Sequence, residues 1–278
     1  MRRNKPTHTV LGIELVRKLA SEGLRVFTAA QARQFAPTVG LSGSYFRQAL
    51  HHLTNSGWLV RLRKGLYALS STVPGVSPAH EFEVAMALVH PAAISHWSAM
   101  HYHGLTEQAP RTVFVLTTRG SRVPRTESIK IRRDEGGCRI GDALYRFIQI
   151  EPKRFFGTEK LWVGDARVTI TDPERTLLDG LMMPQYCGDF AEVLHAFEAR
   201  GDRLDTKRII DYALDLDAAT AKRLGWVLEK QGVESSRLER LAQVPIKGYR
   251  TLDPTGPRKG PRNRRWMIQE NLPGKIMP

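Results

Sequence analysis

Residues Ser42 to Leu69 read SGSYFRQALHHLTNSGWLVRLRKGLYAL, and the periodicity of this segment changes halfway along it. In the first half, Ser42 is placed to cap a helix and Gly57 to end it. Between them, apolar residues recur at the spacing of an amphipathic helix, at Tyr45, Phe46, Ala49, Leu50 and Leu53. The other face of this predicted helix carries a set of hydrogen-bond donors suited to phosphates and base edges: Ser44, Arg47, Gln48, His51 and His52.

The second half of the segment predicts a β-hairpin with a basic tip. Apolar Trp58, Val60 and Leu62 alternate with the residues between them, and Lys64-Gly65 then turns the chain into Leu66-Tyr67-Ala68-Leu69. A helix followed directly by a basic hairpin is typical of a winged helix-turn-helix. In such a domain the helix enters a major groove and the hairpin tip lies along the DNA backbone.

The residues before Ser42 supply the rest of such a domain. They predict a first helix from Val10 to Gly23, a short strand from Leu24 to Phe27 beside the hairpin, and a capped helix from Thr28 to Ala36. The alternative is a small helix-and-hairpin subdomain whose basic face is only solvated. The order of the elements, together with their charge, favours DNA binding.

Basic residues are concentrated towards the two ends of the chain. Residues 1–70 contain eleven Lys/Arg against two acidic residues, and residues 247–278 contain eight Lys/Arg against two. Since the formal net charge of the whole chain is +14, the middle is close to neutral. Each phosphate that a protein neutralises contributes about −0.9 to the log–log salt slope. We therefore expect strongly salt-dependent binding to double-stranded DNA.

Length and composition indicate a globular protein with room for two domains. The chain has 278 residues, of which 41% are hydrophobic and 25% charged. No apolar run approaches the ~20 residues of a membrane span, and the N-terminus lacks the apolar core of a signal peptide. Cys138 and Cys187 fit no metal or redox spacing. The sequence therefore predicts a cytoplasmic, reduced protein.

Four segments are predicted along the chain. Residues 1–70 form the winged helix-turn-helix, 71–79 a Ser/Pro/Gly-rich linker, 80–246 an α+β domain, and 247–278 a basic tail. Two alternatives stay open for the tail, an ordered strap or an arm that folds on nucleic acid.

The α+β domain is predicted as a mostly antiparallel sheet followed by a helical array. Two helices, at 80–90 and 95–103, precede strands at 112–117, around Ile129 and Ile131, at 145–150, and in a hairpin at 160–170. A capping box at Thr171-Asp172-Pro173-Glu174, with Glu174 reaching back, opens a helical region that continues to about Leu241. The fold class is thus α+β, an N-terminal winged helix-turn-helix followed by a larger α+β domain.

Histidines give little support for a metal site. His96, His101 and His103 are close in sequence, but their spacing is wrong for zinc and no cysteine lies near them. These side chains are expected to make local hydrogen bonds in a packed helix. We therefore predict no metal and no other cofactor.

Carboxylates give equally little support for an enzyme. A nuclease would need acids that converge on Mg²⁺, but Asp165 fits a turn and both Asp172 and Glu174 fit a helix cap. A buried pair with Arg175 four residues earlier accounts for Asp179. The sequence predicts no catalytic residue and no enzymatic activity. A metal-dependent nuclease and a non-specific or architectural nucleic-acid-binding protein are kept as alternatives.

Three motifs in order resemble a known family. After the winged helix come HWSAMHYHGL (96–105), DPERTLLDGL (172–181) and RLGWVLE (223–229). Together they resemble the AbiEi-like transcriptional regulators, the antitoxins of bacterial abortive-infection type IV toxin–antitoxin systems. The resemblance runs from about Val10 to Leu241.

This resemblance implies a repressor of its own operon that binds inverted repeats in the promoter. It also implies a second domain with antitoxin activity against a nucleotidyltransferase toxin, without a stable complex, and self-association on DNA. By position, the DNA-binding residues would be Ser42, Ser44, Tyr45, Arg47, Gln48, His51 and His52 in the recognition helix and Arg61, Arg63 and Lys64 in the wing. Arg47 is suited to guanine and Gln48 to adenine.

Overall fold

The computed structural model describes residues 8–41, 43–124, 137–140 and 143–272, and its contacts divide the chain into two compact units. Unit 1 comprises residues 1–90, 122–145 and 162–168, and unit 2 comprises residues 91–121, 146–161 and 169–278. The predicted fold class is confirmed, since a winged helix precedes a larger α+β region. The four predicted segment boundaries stay predictions.

The winged helix lies in unit 1 and follows the predicted order. Its elements are α1 (His8–Ser21), β1 (Val26–Thr28), α2 (Ala29–Phe35), α3 (Gly43–Asn55), β2 (Leu59–Arg63) and β3 (Leu66–Leu69). Strand β3 lies between β1 and β2 and pairs antiparallel with both. The predicted short strand and hairpin are therefore confirmed.

Helix α3 packs on the other helices through one apolar stripe. Phe46, Ala49, Leu50 and Leu53 are buried in one cluster with residues of α1 and α2. The fifth predicted position, Tyr45, differs, because its side chain is 42% exposed. At 100° per residue it lies at the edge of the stripe rather than in it.

The hairpin departs from the predicted alternation at a β-bulge. The register between β2 and β3 shifts between Arg61 and Arg63. As a result Leu59 and Leu62 are the buried residues of β2, whereas Val60 is only half-buried. A bulge inserts one extra residue into a strand and changes which side chains share a face. Both arginines are consequently exposed.

Further elements up to residue 171 are α4 (Glu81–Leu88), β4 (Ala93–Ile94), α5 (His96–Tyr102), β5 (Thr112–Thr118), β6 (Cys138–Ile140), β7 (Ala143–Ile150), β8 (Thr158–Val163) and β9 (Ala166–Thr171). The strands form a sheet in the order β6-β7-β5-β4-β9-β8. Strand β4 pairs antiparallel with β5 and parallel with β9. The strand predicted around Ile129 and Ile131 lies outside the described residues.

The helical array of unit 2 agrees closely with prediction. It contains α6 (Pro173–Met182), α7 (Phe190–Arg200), α8 (Thr206–Leu216), α9 (Ala218–Lys230) and α10 (Ser235–Ala242). These helices share one buried cluster that includes Leu178, Phe197 and Trp226. None of the helices in the described part of the chain combines the length and the apolar character needed to cross a membrane.

The start of α6 corrects one prediction and confirms another. Asp172 caps the helix, since its Oδ1 accepts from the Arg175 backbone N–H at 2.7 Å. Glu174 does not reach back but accepts from Arg200 Nη2 at 3.0 Å, because it is the second helical residue and not the third. The predicted buried pair exists, with Arg175 Nε 2.9 Å from Asp179 Oδ1.

The described part of the basic tail is folded. It forms β10 (Arg250–Thr251), β11 (Arg262–Asn263) and β12 (Ile268–Gln269), and β12 lies between the other two strands. Leu252, Trp266 and Ile268 belong to the same buried cluster as the helical array. Of the two alternatives for the tail, residues 247–272 adopt the ordered strap.

Candidate nucleic-acid interface

The exposed face of α3 carries the predicted recognition residues. Successive residues of a helix are separated by 100°, which places Ser44, Gln48 and His51 in the middle of this face. Arg47 lies at one edge of it, and Tyr45 and His52 lie at the other. All six side chains are exposed. Ser42, also predicted to contact DNA, lies outside the described residues.

The Arg47 edge of α3 borders an open cleft of about 840 Å³. Its walls come from three elements of the winged helix. Arg33 and Gln34 line it from α2, Arg47, His51 and Asn55 from α3, and Arg61 and Tyr67 from the hairpin. The fold thus brings predicted residues of the recognition helix and the wing to one cleft.

The opposite edge of α3 borders a smaller cleft of about 180 Å³. Tyr45, Gln48 and His52 line this cleft together with Gly12 and Ile13 of α1. The predicted helix residues therefore fall into two groups on either side of α3. Arg63 and Lys64 are exposed at the hairpin tip.

Sequence reasoning missed several polar residues of the larger cleft, among them Arg33, Gln34 and Asn55. The guanidinium carbon of Arg33 lies 5.3 Å from the centre of the Phe46 ring, a cation–π contact that orients the side chain. A helical projection of α2 would have found Arg33 and Gln34. The capping box at Thr28 fixes where α2 starts, and buried Ala32 marks its inner face.

Asn55 sets the hydrogen-bonding character of His51. Its Nδ2 lies 3.3 Å from His51 Nδ1. When the amide donates to Nδ1, the imidazole proton is on Nε2. His51 then offers an N–H donor, which suits a guanine acceptor or a phosphate oxygen.

The electrostatic environment of this face is positive and lacks local counter-charges. Residues 23–80 contain no Asp or Glu. Glu14 of α1 pairs with Arg17 at 2.9 Å, and Glu22, which directly follows α1, pairs with Lys18 of that helix. Within the described residues, no ion pair involves any of the five cations of α2, α3 and the hairpin, which are Arg33, Arg47, Arg61, Arg63 and Lys64.

The remaining cation of the winged helix is held internally. Arg25 Nη1 lies 3.0 Å from Asp165 Oδ2, and its Nε lies 3.5 Å from Glu83 Oε2. Asp165 thus sits in its predicted turn and serves as an ion-pair partner. This arginine differs from the five above in having its charge neutralised.

Carboxylates of unit 2 that a nuclease would use also have local partners. Asp172 accepts from the Tyr212 hydroxyl at 2.9 Å in addition to its helix cap, and burial raises its pKa above the usual range. Asp179 and Glu174 bind arginines, as described above. Within the residues that the structure describes, no group of three or more His, Cys, Asp or Glu side chains is placed to hold a metal ion.

One of the clustered histidines makes a local hydrogen bond, as predicted, whereas another bonds to a residue distant in the chain. His96 is fully buried with Nδ1 2.9 Å from Ser95 Oγ, and burial lowers its pKa to about 4. His103 Nε2 donates to the Thr171 carbonyl at 2.7 Å. His101 is exposed on the surface of α5.

The fold and charge distribution of unit 1 are those of a winged helix-turn-helix domain. A family model described as "Transcriptional regulator, AbiEi antitoxin" matches residues 14–70, from the middle of α1 to the residue after β3. This match confirms the predicted resemblance for that segment. Its extension to Leu241 stays a prediction. The matching family is one of transcriptional regulators and antitoxins.

Similarity across both units comes from a solved structure. The crystal structure of the RV2827C protein from Mycobacterium tuberculosis matches with a TM-score of 0.68 at 15% sequence identity. The match covers 96% of this chain and 92% of that chain. At this level of identity the likeness concerns the fold alone. No curated protein matches the sequence.

Proposed function

We propose that this chain is a sequence-specific DNA-binding autorepressor and the antitoxin of a type IV toxin–antitoxin operon. One observation carries the proposal: α2, the exposed face of α3 and the wing together present five cations that form no ion pair among the described residues. Surfaces that serve only for solubility usually intersperse acidic and basic residues. Residues 23–80 instead contain no Asp or Glu. The family match over residues 14–70 supports the same function.

The proposed complex places α3 in a major groove. Arg47 would bond guanine O6 and N7, and Gln48 would bond adenine N6 and N7. Arg61, Arg63 and Lys64 would contact phosphates and set the register of the domain on the duplex. We propose that the operator contains inverted repeats and that copies of the protein associate on them.

The proposed antitoxin activity belongs to the second part of the chain. Its functional partner would be a nucleotidyltransferase toxin, neutralised in the cytoplasm without a stable complex. We propose that the chain itself is not an enzyme, because Asp172, Glu174 and Asp179 are engaged by their neighbours in unit 2. Incubation with plasmid DNA and Mg²⁺ or Mn²⁺ tests this point, and cleavage would contradict it.

A mobility-shift assay over a salt series tests the DNA-binding part. The purified chain is titrated against the duplex upstream of its own gene and against a scrambled duplex of equal length. We expect a preference on the order of 10³-fold that survives at about 150–200 mM salt. Equal affinity for both duplexes, lost together as salt rises, would contradict sequence-specific repression.

A co-expression assay tests the antitoxin part separately. A nucleotidyltransferase gene adjacent to this gene is induced with and without the antitoxin, and growth is followed. We expect growth to be rescued although the two proteins do not co-purify. Failure of rescue would contradict the antitoxin role while leaving the repressor role intact.

A further inference from the structure

Residues 247–272, called the C-terminal cap below, are fixed to unit 2 by a buried tryptophan. Trp266 is fully buried, and its ring lies directly against Gly225 of α9. Its Nε1 donates to Glu229 Oε2 at 2.7 Å. These contacts make the cap a folded surface rather than a trailing chain.

Both carboxylates of the cap are used to hold it together. Glu270 Oε1 accepts from Trp226 Nε1 at 2.7 Å and from Asn263 Nδ2 at 3.2 Å. Asp253 Oδ1 accepts from the Thr255 backbone N–H at 2.8 Å. Neither acid is paired with a cation among the described residues.

Most cations of the cap, in contrast to its acids, are exposed to solvent. Arg265 pairs with Glu229 of α9. The other six are exposed and form no ion pair with any residue that the structure describes: Lys247, Arg250, Arg258, Lys259, Arg262 and Arg264. The cap therefore separates its charges, with half-buried acids that accept hydrogen bonds within the fold and cations that are exposed.

The loop that carries Arg258 and Lys259 is anchored at Gly260 and Pro261, where the Glu270 backbone N–H donates to the Pro261 carbonyl at 2.8 Å. Gly260 has φ +118°, and a Cβ there would lie 2.0 Å from the Glu270 carbonyl oxygen. Since only glycine fits there, the loop passes in close contact with the backbone that directly follows β12. Cations on a fixed loop lose little conformational freedom on binding, which strengthens the interaction.

We propose that the C-terminal cap is a second DNA-binding surface that contacts the phosphate backbone of double-stranded DNA. This assignment goes beyond the proposed function, which places DNA recognition in unit 1. Each of the six exposed cations can contact a phosphate, and each such contact releases counterions. Such contacts add affinity without sequence preference.

The absence of exposed aromatic side chains among the described residues of the cap favours duplex DNA over a protein partner or single-stranded nucleic acid. A protein partner usually requires an aromatic or aliphatic anchor, and single-stranded nucleic acid usually requires exposed rings for stacking. Trp266 is buried, and the Arg262 guanidinium lies 5.2 Å from the centre of the half-buried Tyr249 ring. Within the described residues of the cap, no exposed aromatic side chain is left for either purpose.

A charge-neutralised variant of the full chain tests the proposal. It carries Lys247→Gln, Arg258→Gln, Lys259→Gln and Arg264→Gln, four exposed positions without a partner that folding needs. A matched control loses the same charges elsewhere, through Lys160→Gln, Arg167→Gln, Lys207→Gln and Arg237→Gln. Binding to a labelled random-sequence 40-bp duplex is followed by fluorescence anisotropy over a salt series.

We expect the salt slope of the cap variant to fall by about 3 to 4, since four phosphate contacts at about 0.9 each are lost. The control variant should retain the wild-type slope. Equal slopes for the two variants would overturn the proposal. The same variants are also titrated against a single strand of equal length and against labelled poly-glutamate. If the cap variant loses affinity for one of these but not for the duplex, the assignment to duplex DNA is overturned.

A third variant separates this proposal from the proposed function. Arg61→Gln, Arg63→Gln and Lys64→Gln remove the charge of the wing in unit 1. If only the repressor proposal fails, the wing variant binds like the wild type while the cap variant still loses affinity. If only the cap proposal fails, the wing variant alone is weakened. Far-UV circular dichroism melts confirm that all variants are folded.

Discussion

Replacing Gly225 by alanine adds one methyl group where α9 meets the ring of Trp266. The new Cβ would lie 2.0 Å from Trp266 Cζ3 and 2.4 Å from Cε3. Carbon atoms in contact stay about 3.5–4.0 Å apart. One of the two groups must therefore move by about 1.5 Å. Trp266 is fully buried and tied to Glu229, so it has little room to move.

Several terms decide the sign of the effect. Overpacking of a core usually costs about 1–3 kcal/mol, and complete expulsion of a buried tryptophan costs about 3–5 kcal/mol. Alanine in a helix interior is favoured over glycine by about 1 kcal/mol. We expect the free energy of unfolding of Gly225→Ala to fall by about 2 kcal/mol, because the packing cost exceeds the propensity gain.

Urea unfolding followed by circular dichroism measures this change, and Gly12→Ala is the matched control. Gly12 also lies inside a helix, but a Cβ there would be 3.6 Å from the Leu53 side chain, an ordinary contact. The control should gain up to about 1 kcal/mol from helix propensity. If Gly225→Ala proves as stable as the wild type, or if both variants shift alike, the contact with Trp266 does not decide stability.

Three further predictions follow from the site and its surroundings. Arg47→Ala should cost about 1–3 kcal/mol at one base position and relax specificity there, whereas Lys64→Ala should weaken all duplexes alike; equal losses on every sequence for both would refute these roles. Asp179→Ala should lower the free energy of unfolding by about 3–5 kcal/mol, because it leaves the buried Arg175 charge uncompensated. Asp179→Asn, which keeps an acceptor, should lose less. Burial lowers the pKa of His96 to about 4. Below pH ~6.5 the imidazole is therefore protonated in the unfolded chain but stays neutral in the folded one. The free energy of unfolding should consequently fall by about 2 kcal/mol from pH 7 to pH 5. His96→Asn, which tolerates the positive φ of this position, should remove that slope, and an unchanged slope would contradict the assignment.

Much of the fold was accessible from the sequence because its signals are local. Apolar spacing predicted α3, and Gly57, with φ +76°, ends the turn that follows it. Caps such as Asp172 located the start of α6. The features that were missed depend on distant partners instead. Glu174 binds Arg200 of α7, a contact that the local capping pattern gives no means to foresee.

The candidate interface shows the same division between local and distant signals. The exposed face of α3 could be predicted from the sequence, because the periodicity of a helix alone determines which of its residues share a face. The larger cleft requires three elements, and Arg33 of α2 joined it only once the fold was known. The bulge between Arg61 and Arg63 was also missed, because Leu59, Val60 and Leu62 fit more than one register.

The total charge of +14 says less about binding than the placement of the acidic residues. At physiological ionic strength the Debye length is about 8 Å, so a carboxylate weakens a cation only when it lies nearby. In the winged helix, Glu14 and Glu22 pair with Arg17 and Lys18 of α1. In the C-terminal cap, Asp253 and Glu270 bind N–H groups inside the fold. Within the part of the chain that the structure describes, both regions thus leave exposed cations without an ion-pair partner, by two different structural means. That arrangement supports contact with a polyanion more strongly than a high isoelectric point does, because a high isoelectric point would be equally compatible with cations that are all neutralised in pairs.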